Sequence, residues 1–395
     1  MKVLHVYKSY YPDTVGGIEQ VISQLGRALA PLGVQNRIFT LSPHPQPPVL
    51  VRPEGEVHRA ATTFEVASNP VSLAALAQFR RQVEWADVIH YQFPWPFGDL
   101  LHLTGGRSKP SVVSYQSDIV RQNWLRHAYA PLMRKFLGSV DRVVATSPQY
   151  LDTSHVLADL RTPVEIIPNG IDPAAYPQPS AECLEQWRGL LGEGFLLFIG
   201  VLRYYKGLDT LLEAAVGFPG QIVIGGDGPL AGALQGAVKR LGLTNVRLLG
   251  RVGDEDKMAL LQLSRGFVFP SDLRSEAFGM SMVEAAMAGK PLISCEIGTG
   301  TSHVNQDRES GWVVPPQDAR ALRAAMQQML DDPQQAAVYG QGARARFERL
   351  FTAQRMAQTY YQLYRQLMES HAAARLRQRA AVPESPQQEQ QLERS

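Results

Sequence analysis

The sequence is short of cysteine, of net charge and of long apolar runs, and each shortage narrows what the protein can be. Cys183 and Cys295 are the two cysteines among 395 residues, far apart and outside any CxxC or Cys/His cluster. That argues against a disulfide framework and a structural zinc site, and it fits a reducing compartment. The formal net charge is +2, so composition leaves no electrostatic footprint for a nucleic-acid partner. No apolar stretch approaches the roughly 20 residues that cross a bilayer. The opening Met-Lys-Val-Leu-His-Val-Tyr has no signal-peptide core and no small-residue cleavage site. The expectation is a cytoplasmic protein, with attachment to a membrane surface left open.

What is present is apolar substance punctuated by glycine and proline. Hydrophobic residues make up 45% of the chain, and the length favours two or more α/β-sized domains over one core. Residues 2–7 read as a short buried strand, Gly16 and Gly17 as a turn, 19–30 as an amphipathic helix ended by Gly33, and 35–41 as the next strand. Strand, glycine turn, helix, strand is the opening of a parallel doubly wound sheet. Strand candidates at 87–90, 110–115, 142–146 and 164–167 continue it, and the proline-rich 43–53 reads as a loop. Asn169-Gly170-Ile171-Asp172-Pro173 is turn and linker chemistry and marks a domain boundary. A second series follows, with strands at 195–201, 221–224, 246–249, 266–270 and 291–294 and a helix at 208–215. The fold class is therefore α/β with two Rossmann-like domains, 1–172 and 190–350. A last helical stretch, 353–368, carries Tyr360, Tyr361, Leu363, Tyr364 and Leu367 at helical spacing. The segment 351–371 is assigned to it, and 372–395, with little to bury, to a disordered tail.

Four stretches carry chemistry. Gly16-Gly17-Ile18-Glu19 joins the first strand to the first helix. Free amides at a helix N-terminus, with no Cβ in the way, suit an anion, although a glycine turn there is often only structural. Arg203-Tyr204-Tyr205-Lys206-Gly207 follows the first strand of the second series, where doubly wound sheets bind ligands. Two cations there suit a phosphate; a solvated basic loop is the plainer alternative. In Ser275-Glu276-Ala277-Phe278-Gly279-Met280-Ser281-Met282-Val283-Glu284, two glutamates stand eight positions apart. A helix starting near Gly279 would aim the amides of Phe278, Gly279, Met280 and Ser281 at an entering ligand. Glu276 would precede that helix and Glu284 lie on it, one carboxylate for sugar hydroxyls and one for a ribose diol. Gly298-Thr299-Gly300-Thr301-Ser302 reads as a small-residue loop near the same cleft or as a simple turn. Asp254, Glu255 and Asp256 read as an acidic helix start, and no metal site is expected.

Taken together these residues resemble the family-4 retaining glycosyltransferases of the GT-B fold, two Rossmann-like domains facing across a cleft. The resemblance runs over nearly the whole chain, through Gly-Gly-Ile-Glu, Ile167 to Asp172, Tyr-Lys-Gly, Gly226-Asp227-Gly228-Pro229 and the Glu-x7-Glu segment. It implies a nucleotide-diphosphate sugar donor and no cofactor. Arg203 and Lys206 would hold the diphosphate, Glu284 the ribose, and Glu276 with the amides near Phe278 and Gly279 the sugar. Gly16 and Gly17 would approach the phosphate from the opposite domain, and the final helix would cross back onto the N-terminal domain. Two positions depart from the family. Val201 stands where an arginine is usual, with Arg203 two positions on and on the same side of an extended chain. In Ser114-Tyr115-Gln116-Ser117-Asp118, Gln116 stands where the family commonly has a histidine beside the donor sugar; Gln cannot become cationic. Gln116 and Asp118 are assigned to the acceptor wall.

The chemistry implied is electrostatic. Cations and amides aimed at a departing diphosphate typically contribute ~2.7–4 kcal/mol each, so truncating Lys206 or Arg203 is expected to cost activity far more than stability. The texture at 202–208 and 298–305 is most similar to mannosyl- and rhamnosyltransferases, which favours a GDP-sugar over a UDP-sugar. A lipid-linked saccharide of lipopolysaccharide, O-antigen or exopolysaccharide synthesis is the expected acceptor. A UDP-sugar transferase with a soluble acceptor, or a nucleotide-sugar-binding protein impaired by Gln116, are the alternatives. The stretch 121–136 interleaves basic and aromatic residues. It reads either as a membrane-surface helix or as an ordinary domain helix with a solvated basic side, and the resemblance tips it towards peripheral contact with an anionic membrane.

Overall fold

Parallel strands that carry helices on both faces must be apolar on both faces, and the strand sequences of this chain obey that demand. The computed structural model describes residues 1–67, 69–118 and 123–380, without the side chains of 123–127 and 378–380. The N-terminal half builds β1 (Lys2–Val6), β2 (Gln35–Ser42), β3 (Val49–Arg52), β4 (Gly55–Ala61), β5 (Phe64–Val66), β6 (Asn69–Val71), β7 (Val88–Phe93), β8 (Ser111–Tyr115), β9 (Arg142–Ala145) and β10 (Val164–Ile166). Eight of them form one sheet in the order β10-β9-β8-β7-β1-β2-β4-β3, parallel except for β3, and β5 and β6 form a separate hairpin. The loop expected over 43–53 is therefore corrected: between Pro48 and Pro53 the chain is free of proline, and 49–52 forms an antiparallel edge strand on which Val51 faces solvent. Proline is excluded from paired strand interiors but not from the approach to one.

The second sheet uses β11 (Leu196–Ile199), β12 (Ile222–Gly225), β13 (Val246–Gly250), β14 (Gly266–Phe269), β15 (Leu292–Cys295) and β16 (Gly311–Val314). Its order, β13-β12-β11-β14-β15-β16, is wholly parallel. In both sheets the strand order reverses beside the first strand, between β1 and β7 and between β11 and β14. Such switch points open a crevice at the carboxyl ends of the strands. The glycine turn at 16–17 follows β1, and the 203–207 segment follows β11.

The two halves are joined twice. Ile171 donates its amide to Phe351 O at 2.9 Å, and Ala353 donates its own to Ile171 O at 2.9 Å, so the outgoing and returning chains run side by side. A Cβ on Gly170 would lie 2.4 Å from Thr352 O. The returning chain enters the helix Ala353–Ala380, which continues past the expected start of the tail at 372; residues 381–395 lie outside the described residues. Met356, Tyr360, Leu363, Tyr364 and Leu367 pack on Val3, Val88, Val112 and Val144 of the N-terminal sheet. The tyrosine hydroxyls reach its polar carboxyl half, Tyr364 to His90 Nδ1 at 2.7 Å and Tyr360 to Ser114 Oγ at 2.6 Å.

Burial keeps these histidines uncharged. It lowers His5 to about 4 and His90 well below its ordinary value, and the same cause lowers His102 and His303 to about 4. His90 is committed to Ser114 and Tyr364, His102 to Tyr91, and His303 packs on Phe351, so none of the three replaces the missing cleft histidine. The side chain of His127 lies outside the described residues. In the unfolded chain these groups take up protons below about pH 6.5, while the folded protein resists until about pH 4. Their stabilising contribution is complete above 6.5 and is lost as pH falls towards 4. The melting temperature is expected to drop across that window, and His5→Gln to flatten the drop; equal slopes for the two proteins would remove His5 from the account.

Candidate active site

The donor-side wall begins where β11 ends. Gly207, at φ 63°, has its missing Cβ 1.9 Å from Pro270 O, so only glycine lets the chain turn there after Lys206. The motif at 226–229 supports the same segment from below. A Cβ on Gly226 would meet Gly200 O at 1.9 Å, Leu202 donates its amide to Asp227 O, and Leu230 donates back to Leu202 O. The segment thus held is tied to the one after β14: Asp272 N donates to Tyr205 O at 3.1 Å, and the hydroxyls of Tyr204 and Ser275 meet at 3.0 Å. Between them the buried Lys206 Nζ lies 2.5 Å from Glu276 Oε2, which also accepts from Ser271 Oγ at 3.1 Å. The ammonium lies 4.5 Å from the centre of the Phe269 ring. Val201 and Arg203 are both exposed, with Leu202 buried between them, so the two share a side of the chain.

The helix Met280–Met287 starts at Gly279, and the amides of Phe278, Gly279, Met280 and Ser281 have no acceptor among the described residues. Glu284, one turn in, is buried. Its Oε1 accepts from Tyr176 OH at 2.8 Å, Gln20 Nε2 at 2.9 Å and Lys257 Nζ at 2.9 Å. Burial opposes the charge on Lys257, but Glu284 and then Asp254 outweigh it and hold the ammonium above the usual lysine range. Burial, with Glu284 adding to it, pushes the Tyr176 phenol up. The acidic run resolves as a helix start: Asp254 pairs with Lys257, Glu255 accepts the Ser180 amide and Asp256 the Trp187 indole. Among the described residues no three His, Cys, Asp or Glu side chains are grouped so as to hold a metal ion.

The opposite wall faces this one closely. Gly17 stands against Met280, its missing Cβ 3.7 Å from Met280 Cγ. Behind Gly16 sits the Glu19 carboxylate, 2.6 Å from where a Cβ would be, accepting from Ser9 Oγ at 3.0 Å and Thr14 Oγ1 at 2.7 Å. At the end of β1 burial lifts the Tyr7 phenol and lowers the Lys8 ammonium; Glu19 acts on both, and the charge of Arg203 opposes it from the other wall. Gln116, buried at the end of β8, donates from Nε2 to Gln92 Oε1 at 2.9 Å and accepts at Oε1 from Asn169 Nδ2 at 3.3 Å. Asp118 differs from the simple expectation of a ligand contact, because protein groups hold both of its oxygens. Oδ1 accepts from Tyr115 and Ser154 hydroxyls at 2.9 Å each, and Oδ2 pairs with Arg274 Nη2 at 3.0 Å across the cleft. Arg274 also donates to Thr153 Oγ1 and Gly298 O.

The structure therefore gathers Arg203, Lys206, Glu276, Phe278, Gly279, Met280, Ser281 and Glu284 on one wall and sets Gly16, Gly17, Gln116 and Asp118 opposite. Sequence reasoning missed Glu19, Gln20, Tyr176, Lys257 and Arg274. Glu19 lay inside a motif already singled out and Arg274 immediately before one; Tyr176 and Lys257 carry no local signal. The small-residue loop packs behind the donor segment, Gly300 N donating to Ala277 O at 2.8 Å. Of the basic-aromatic stretch 121–136, residues 121–122 lie outside the described residues; the rest belongs to a helix that exposes Arg134 and Lys135 and buries Met133, Phe136 and Leu137. No helix among the described residues is long and apolar enough to cross a membrane.

Comparison with known proteins gives the family and the fold. The family model for glycosyltransferase family 4 matches residues 15–175, and that for glycosyl transferases group 1 matches 185–346. The chain is 53% identical over 353 residues to the D-rhamnosyltransferase WbpZ of Pseudomonas aeruginosa, covering 89% of this chain and 93% of that one. It is 45% identical over 370 residues to the O-antigen chain mannosyltransferase C of Escherichia coli, covering 94% and 100%. Among solved structures, sucrose-phosphate synthase from Thermosynechococcus elongatus superposes with a TM-score of 0.76 over 93% of this chain and 99% of its own, at 24% identity. That last likeness is one of fold, two Rossmann-like domains in the GT-B arrangement.

The two cations call for separate tests. Removing Lys206 leaves Glu276 buried without its cation, a loss of ~3–5 kcal/mol when one partner of a buried pair is deleted. The expectation that its truncation spares stability is thereby corrected; Lys206→Ala should lower both the melting temperature and activity. Exposed Arg203 is the cleaner probe. Arg203→Ala should melt with wild type and lose on the order of 10²–10³ in kcat, the scale for one preorganised donor; normal sugar transfer would remove Arg203 from the site.

Proposed function

The chain belongs to the family-4 glycosyltransferases and is a hexosyltransferase; on that footing we propose that it moves mannose or rhamnose, with retention, from a GDP-sugar to a lipid-linked saccharide in O-antigen assembly. The observation that carries the donor side is the convergence, on one edge of the second sheet, of Lys206, Arg203 and the four amides at 278–281 that have no acceptor among the described residues. Such a set suits a diphosphate that gains negative charge as its bond to the sugar breaks. Lys206 and Arg203 take that charge. Glu276 holds sugar hydroxyls, and Glu284, its Oε1 already fixed by three donors, offers its remaining oxygen to the ribose diol. The bond between the anomeric carbon and the diphosphate oxygen breaks with its electron pair staying on the diphosphate, the carbon bonds to an acceptor hydroxyl oxygen, and that hydroxyl's proton passes to the departing diphosphate. Gln116 contributes hydrogen bonds but no charge.

The sugar and acceptor classes rest on the rhamnosyl- and mannosyltransferase relatives, each matched along almost its whole length. Those names favour a deoxyhexose or hexose, and the GDP link rests on the resemblance at 202–208 and 298–305. The exposed Arg134 and Lys135 support a peripheral encounter with an anionic bilayer that presents the acceptor.

A donor screen by mass spectrometry with purified protein is the test. GDP-mannose or GDP-rhamnose should be consumed in the presence of a lipid-linked acceptor, and GDP should raise the melting temperature more than UDP at equal concentration. Consumption of UDP-sugars alone would move the assignment to the soluble-acceptor alternative.

A further inference from the structure

Three parallel strands deliver polar side chains to one spot at the carboxyl edge of the N-terminal sheet. Gln92 comes from β7, Gln116 follows β8, and Asn169 follows β10; all three are buried. Their contacts are directional. Gln116 donates from Nε2 to Gln92 Oε1 at 2.9 Å and accepts at Oε1 from Asn169 Nδ2 at 3.3 Å. Turning the Gln116 amide over would set oxygen against oxygen at Gln92 and NH2 against NH2 at Asn169, so the two neighbours select one of two otherwise equivalent orientations.

The direction of Gln92 is set in turn from below. Its Nε2 lies 3.4 Å from His90 Nε2, which also meets Ser114 Oγ at 2.7 Å, while His90 Nδ1 meets Tyr364 OH at 2.7 Å. A neutral His90 protonated at Nδ1 donates to Tyr364, and the single lone pair of its Nε2 takes the Ser114 hydroxyl at 2.7 Å, with the longer Gln92 contact sharing it. An amide has two N–H groups and two lone pairs. The hold consumes one of each and leaves one donor and one acceptor, in a fixed arrangement, where the family resemblance places a sugar-facing histidine. A histidine held in this way would have no ring nitrogen to spare.

We propose that Gln92 and Asn169 are positioning residues that lock the direction of the Gln116 amide, so that it offers one defined donor and one defined acceptor to the hexose of the donor. The proposal rests on the reading of Gln116 as a contact of that hexose. It makes the departure at 116 part of a matched set of three residues. Preorganisation of this kind acts in the transition state, where an amide free to turn would have to be ordered at each turnover.

Single-turnover and steady-state kinetics on the full chain test it with Gln116→Ala, Gln92→Met, Asn169→Ala and the doubles Gln92→Met/Gln116→Ala and Asn169→Ala/Gln116→Ala, each checked by thermal melting. Each single change should lower kcat about tenfold, the scale of one hydrogen bond lost in the transition state. KM for the nucleotide sugar and Kd for the nucleotide should stay within about twofold of wild type. Each double should be no slower than Gln116→Ala alone, because residues that act through one group do not add. A role confined to packing predicts losses that multiply in the doubles, and that result overturns the proposal. Full kcat in both Gln92→Met and Asn169→Ala, with Gln116→Ala impaired, overturns it while sparing the reading of Gln116. Full kcat in Gln116→Ala itself overturns that reading, and the proposal with it. Should Gln92→Met fail to fold, the Asn169 pair carries the same arithmetic.

Discussion

A carboxylate drawn out of water has to recover its hydrogen bonds from the protein, and the cleft is organised around that demand. Four acidic side chains stand along it. Glu276 is answered by Lys206 and Ser271, Glu284 by Lys257, Tyr176 and Gln20, Glu19 by Ser9 and Thr14, and Asp118 by Arg274 and two hydroxyls. Two of these answers come from the other half of the molecule: Gln20 reaches Glu284 and Arg274 reaches Asp118. The same bonds that keep the acids satisfied hold the two walls in register, so the width of the cleft follows from charge compensation as much as from the linker.

Much of the fold could be read in advance, because strand and helix periods survive in single elements. The strands ending at Val6, Tyr115 and Ile199 are short apolar runs closed by turn residues, and the stripe of Tyr360, Leu363, Tyr364 and Leu367 is plainly one helix face. The strand 49–52 was hidden because its edge position leaves Val51 in solvent and its approach is rich in proline. The last helix runs on past 372 because alanine, arginine and glutamine favour helix even with nothing to bury, and Leu376, the large apolar residue there, stays exposed.

The site was legible where its residues were clustered and illegible where they were dispersed. Lys206, Glu276 and Glu284 stand in motifs whose spacing carries meaning. Their partners Tyr176 and Lys257 come from a linker and a different helix, and nothing in their neighbourhoods marks them; only the fold brings them to Glu284. Spacing could not show either that Lys206 and Glu276 neutralise each other, which ties the stability of the donor wall to the group that serves it. The substitution at 116 is a similar case. As a line of sequence it reads as a lost function, yet Gln92 and Asn169, 24 and 53 positions away, engage its amide from both sides.

The return of the chain onto its first half has a consequence for synthesis. One face of the N-terminal sheet, with Val3, Val88, Val112 and Val144, is covered by side chains from Met356 to Leu367. A ribosome makes the whole intervening half before it supplies that cover, so the first half waits through most of translation with an apolar face open to solvent or chaperone. The two halves are therefore separable in space but not in biogenesis. A recombinant that exchanges the second half must bring a last helix whose tyrosines still meet His90 and Ser114, or leave the first half unfinished.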